Sequence, residues 1–136
     1  MTTTVVLDNE AVQALLSVRH PKHAQALRSV QVVTDRRRRD RPMRLLVPTA
    51  VRVEAGWDRT APAAAFINRL GITDVALDKA VANVAAALVA THHVSVADAH
   101  IGAALKTVAG PVTIVTSDPD DMRTVAGTKD VVIVTL

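Results

Sequence analysis

The stretch from Val112 to Thr135, VTIVTSDPDDMRTVAGTKDVVIVT, decides the fold class. It opens on the β-branched run VTIVT, passes through Ser117-Asp118-Pro119 into a short helix, and closes on a second β-branched run, VVIVT. Strand compositions this rich in Val and Ile suit strands buried on both faces. Strand, helix and strand in succession read as one unit of a parallel sheet.

The same alternation extends towards the N-terminus. Thr4 to Asp8 (TVVLD) is a short apolar run ending in an acid, and Val12, Leu15 and Leu16 then recur at helical spacing. Pro21 suits the first turn of a second helix that carries an arginine run, and Pro42 closes the basic stretch. Residues 44 to 48 (RLLVP) are the next apolar run; Thr49 is then the expected N-cap of a helix containing Glu54 and Trp57. A helix over Pro62 to Leu70 stops at Gly71, and residues 72 to 77 are a strand candidate. Asp78 caps a helix with the stripe Val81, Val84, Ala85, Leu88 and Val89, and a further helix shows Ile101, Ala104, Leu105 and Val108 before Gly110-Pro111. No repeat or low-complexity linker divides the chain, so residues 1–136 are expected to form one α/β domain, a parallel sheet flanked by helices on both faces.

Composition narrows the function classes. The chain holds 23 Ala and 23 Val but only one Phe, one Trp and no Tyr, which disfavours modules that read single-stranded RNA by stacking bases on an aromatic surface. With no Cys there is neither a disulfide framework nor a thiolate metal site. The N-terminal residues lack the basic and long apolar regions of a signal peptide, and no apolar run approaches a membrane span, so the expectation is a cytoplasmic protein without membrane contact. The formal charge is +3, and residues 28 to 59 concentrate nine Arg against four acids. A basic segment of this density suits a polyanionic partner. Arg36, Arg37, Arg38 and Arg39 are its centre, expected to contact RNA or an acidic partner segment.

Four carboxylates stand in apolar surroundings: Asp8 after the first strand, Glu54 among Ala50, Val51, Val53 and Trp57, Asp98 after Val94-Ser95-Val96-Ala97, and Asp118 after VTIVTS. Asp8 and Asp118 end strands, where open parallel sheets bind ligands. Each also fits a structural role: Asp8 as a helix cap, Ser95-Val96-Ala97-Asp98 as a capping box, and Asp118-Pro119 as an N-cap before proline. Glu54 has no capping role, so it needs a charged or metallic partner or an exposed face. Converging carboxylates repel one another unless a cation neutralises them, and an all-oxygen set selects Mg²⁺, with Mn²⁺ as a substitute. Metal-assisted phosphodiester hydrolysis is the chemistry this implies.

Four segments carry a resemblance: Val5-Val6-Leu7-Asp8, Val53-Glu54-Ala55, Ala97-Asp98-Ala99-His100-Ile101 and Thr116-Ser117-Asp118-Pro119-Asp120-Asp121-Met122. In this order and at these separations the chain resembles the PIN-domain ribonucleases, especially the VapC-type toxins of bacterial toxin-antitoxin pairs. The resemblance covers essentially the whole chain. It implies a PIN-like fold and a Mg²⁺ site built from Asp8, Glu54, Asp98 and Asp118, with Asp121 nearby as a weaker candidate. It also implies endoribonuclease action on tRNA or rRNA, a cognate VapB-type antitoxin covering the site, and a homodimer. Glu10 departs from the family, which commonly has Ser or Thr there. His100, two positions from Asp98, is the one histidine singled out among five.

Two other readings compete. A PIN fold without catalysis would be a binding module, separable by metal-dependent cleavage. A receiver-like signalling domain would need a Lys near the end of a late strand, whereas Lys106 falls in a helix and Lys129 precedes the last strand.

Overall fold

The computed structural model describes residues 2–136. Its order is β1 (Thr3–Leu7), α1 (Asn9–Leu16), α2 (His23–Arg38), β2 (Met43–Pro48), α3 (Thr49–Ala55), a 3₁₀ turn (Pro62–Ala64) and α4 (Ala65–Asn68). There follow β3 (Ile72–Val75), α5 (Lys79–His92), α6 (Val96–Leu105), β4 (Val112–Thr116), α7 (Pro119–Ala126) and β5 (Val131–Thr135). The five strands form one sheet in the order β3-β2-β1-β4-β5, every pairing parallel. Crossovers from β1 to β2 and from β4 to β5 run in opposite directions across this sheet. Right-handed crossing therefore puts α1 and α2 on one face and α7 on the other. The α/β class expected from the alternation is what the chain adopts.

One cluster fills the interior, with Leu7, Leu15, Leu45, Ile67, Ile101, Leu105, Ile114 and Met122 almost wholly shielded from water. Burial of each such side chain contributes roughly 1.5–3 kcal/mol. The stripe on α5 packs instead on a smaller cluster, where Ala85 meets Ala99 and Ala103 of α6. α6 is thus enclosed between α5 and the main core, and between Ala97 and Leu105 only Asp98 is not buried. Ile101, Ala104 and Leu105 alone would bury one face of α6, but the helix is apolar nearly all round because it is buried nearly all round. Gly102 permits that enclosure. A Cβ there would stand 2.7 Å from both Leu88 Cδ1 on α5 and the Val125 carbonyl oxygen on α7.

Local differences have local causes. Pro48, not Thr49, occupies the N-cap position of α3, and the Thr49 hydroxyl accepts from the Leu77 amide (3.3 Å), tying α3 to the β3–α5 connection. Pro21 lies in the turn before α2, whose N-cap position is Lys22. α6 stops at Leu105 through turns that hydrogen-bond Lys106 to Ala103 and Thr107 to Ala104, leaving Val108 beyond the helix. Among the described residues no helix is long and apolar enough to cross a membrane.

Candidate functional site

Strand order reverses between β1 and β4, because β1 connects leftwards to β2 while its right-hand neighbour β4 connects onwards to β5. A crevice opens outside the carboxyl ends of strands at such a point. Asp8 follows β1, and Thr116-Ser117-Asp118 closes β4. The two are joined by side chains.

Asp8 is buried, and both its oxygens are engaged. Oδ1 accepts from the Ala11 amide (2.9 Å), capping α1, and Oδ2 accepts a short hydrogen bond from the Thr116 hydroxyl. Thr116 Oγ1 in turn accepts from the Asp118 amide (2.9 Å). One buried hydroxyl therefore sets both acids of the crevice. Burial raises the Asp8 pKa above the ordinary carboxylate value, against the lowering effect of Thr116 and of the Ala11 and Ser117 amides. Thr116 stands between β-branched and hydroxyl-bearing residues, and nothing in the sequence distinguishes its hydroxyl from those of its neighbours. Its partner lies 108 positions away. Replacing Thr116 by Val should leave Asp8 with an unanswered buried oxygen and lower stability by about 1–3 kcal/mol. It should also raise the Asp8 pKa further. Thr116→Ser keeps the hydroxyl and should recover most of both effects; denaturant unfolding and carboxyl titration by NMR would measure them, and equal behaviour of the Val and Ser variants would refute the link.

Asp118 caps α7 by accepting from the Asp121 amide (3.3 Å). The Asp121 pKa is raised, first through a hydrogen bond shared with the Asp118 side chain. On α6, Ser95 Oγ accepts from the Asp98 amide (3.0 Å), but the Asp98 carboxylate does not reach back, so only half of the expected capping box forms. That leaves the Asp98 oxygens uncommitted. Its pKa is pushed up to about 6 by burial and then by the charges of Asp121, Asp8, Glu54 and Asp118. The four acids singled out in the sequence, with Asp121, thus share one electrostatic field.

Glu54 reaches that field from an exposed position on α3, so its apolar sequence neighbours do not bury it. Gly56, with φ of +73°, ends α3 just after it. Glu10 turns aside to His20 Nε2 (3.1 Å) and Lys22 Nζ (3.9 Å), although its charge still reaches Asp8. Lys22 is a cation next to Glu10, with His20 on the same carboxylate, and neither was singled out from the sequence. His100 is fully buried; its Nδ1 accepts from the Ala50 amide (3.2 Å), fastening α6 to the start of α3 and so Asp98 to Glu54. Burial lowers its pKa. Among the described residues no three of these acids and histidines are gathered closely enough to enclose an ion.

The arginine run lies elsewhere. Arg36 to Arg39 end α2 beside the first residue of β2, with Arg37 Nε donating to the Met43 carbonyl (3.0 Å). β2 must climb roughly 16 Å from there to the carboxyl edge of the sheet. Of the other arginines in the basic segment, Arg52 and Arg59 flank the buried Trp57 and both pair with Asp74 at 2.9 Å. Those two have a structural role. Neither the protein-family models nor the curated proteins compared with this chain give a match.

Proposed function

We propose that this chain is a metal-dependent endoribonuclease, a PIN-type toxin of the VapC kind that hydrolyses RNA phosphodiester bonds. The observation that carries the reading is Asp98, a half-buried carboxylate in the field of four other acids at the switch point of a parallel sheet. By the chemistry of its donors, though not by their spacing, the set suits a hard divalent cation. It is all oxygen, Asp98 and Glu54 meet no hydrogen-bond donor or cation among the described residues, and each engaged oxygen of Asp8 retains a second lone pair. Asp8, Glu54, Asp98 and Asp118 would hold Mg²⁺ or Mn²⁺, which when bound supplies charge neutralisation and an acidified water for attack on phosphorus.

The chain's own residues supply the rest. Thr116 orients Asp8 and Asp118 before substrate arrives, and His100 fixes α6 against α3, so the acids come from elements already packed together. Lys22, beyond Glu10, is placed to attract phosphates towards a crevice that would otherwise repel them. RNA as the substrate, a VapB-type antitoxin and a homodimer rest on the resemblance of the four acid-bearing segments. The test is incubation of pure protein with total RNA in Mg²⁺ or in chelator, followed by sequencing of new 5′ ends. Defined cuts that need the metal are expected; intact RNA in both would leave a PIN-fold binding module.

A further inference from the structure

Parallel sheets are ordinarily covered by helices on both faces. Here α2 covers only part of its face, and a groove of about 610 Å³ runs between α2 and the β4–β5 side of the sheet. Its floor includes Val5 and Val115; its walls leave Val32 48%, Val132 63% and Val134 38% exposed. Exposed apolar side chains gathered in one groove mark an interaction surface, whereas scattered ones do not.

Charge specifies the occupant. Arg28 and Arg36 line the α2 wall, eight positions and about 12 Å apart along the helix. Neither forms a salt bridge among the described residues, and no Asp or Glu side chain lines the groove. We propose that this groove docks an amphipathic helix of a partner protein, with its apolar face on Val32, Val132 and Val134 and two carboxylates seven or eight positions apart on Arg28 and Arg36.

A helix suits the gap better than a strand does. A strand added to the β5 edge would extend the sheet but leave the α2 wall exposed, whereas a helix about 10 Å across restores the missing layer. A second copy of this chain does not supply the match. The helices hold Glu10 on α1, Asp35 on α2, Glu54 on α3, Asp98 on α6, and adjacent Asp120 and Asp121 on α7, so none carries two acids at that spacing. The inference is independent of cleavage, and it gives a role to a basic segment that lies away from the carboxylates.

The test uses two synthetic helical peptides with the same leucine stripe, one bearing Glu at i and i+7 and the other Lys, followed by fluorescence anisotropy on the full chain. The Glu peptide should bind roughly tenfold or more tighter than the Lys peptide, and its affinity should fall with added salt. Val132→Glu and the double variant Arg28→Gln, Arg36→Gln should each weaken it by a similar factor with the melting temperature unchanged, because these side chains are exposed. Equal binding of both peptides, or binding of neither, overturns the proposal. So does a dimer in sedimentation that Val132→Glu dissociates, which would make the occupant a second copy. Displacement of the Glu peptide by an RNA oligonucleotide that the double arginine variant no longer binds would assign the groove to RNA and likewise overturn it.

Discussion

An Asp98→Asn variant is expected to lose RNA cleavage by on the order of a hundredfold or more while becoming more stable without metal above pH 6. Asn keeps the shape of the side chain, and the hydrogen bond from the residue-98 amide to Ser95 Oγ does not involve it. The fold of α6 should survive. What disappears is the carboxylate surrounded by Asp121, Asp8, Glu54 and Asp118. A bound cation contributes several kcal/mol of transition-state stabilisation, and a hundredfold loss corresponds to only about 2.7 kcal/mol, so one missing ligand suffices.

The stability gain has a definite pH window. The folded-state pKa of Asp98 is raised from 3.8 to about 6, so the folded protein binds this proton more tightly than the unfolded chain. The ionised group therefore carries a penalty absent below about pH 4, growing between pH 4 and 6, and complete above. The full shift would be worth about 3 kcal/mol, and half-exposure with solvent screening reduces that to roughly 1 kcal/mol. In chelator, Asp98→Asn should melt on the order of 4 °C above wild type at pH 7, and the gap should close near pH 4. Wild-type cleavage by the variant would remove Asp98 from the site; a melting gap independent of pH would remove the electrostatic account.

Much of this arrangement is legible in the sequence. Strand and helix alternation, the acids at Asp8 and Asp118, and the caps of α5, α6 and α7 are local properties, set by residues within one turn of each other. The burial of Glu54 is not local. Ala50, Val51, Val53 and Trp57 surround it in sequence, but α3 buries Val51 and leaves Val53 and Glu54 in water. The same limit applies to the arginine run. Density and sign suggested a phosphate contact, yet the direction of α2 decides what the run can reach. That helix starts after Lys22, near Glu10, and its sixteen residues extend roughly 24 Å to the opposite edge of the sheet. Likewise Thr116 becomes consequential only when parallel pairing sets Leu7 against Val115. The acids that cap helices also show why single motifs mislead: Asp8 and Asp118 both cap and face the crevice, so the two explanations are not exclusive.

Metal should therefore act on stability through the same acids, and in the opposite sense to the charge penalty. Mg²⁺ or Mn²⁺ at about 100 times its dissociation constant adds about 2.7 kcal/mol if it binds only the folded state. For a chain of this size that is a rise in melting temperature on the order of 10 °C. The rise should shrink as pH falls through 6, because the proton taken up by Asp98 competes with the cation for the same oxygens. Glu54→Gln should shrink it at every pH with little effect on metal-free folding, since Glu54 is exposed and reaches the cluster only through its charge. Asp8→Asn is a poorer probe, because it also disturbs the hydrogen bonds with Thr116 and Ala11. The measurement is a melting series over metal concentration at pH 5 and pH 8 for wild type and Glu54→Gln. A rise of the same size in both proteins would take Glu54 out of the cluster. No rise in wild type at either pH would mean that these carboxylates hold no cation, and the proposed chemistry would fall with it.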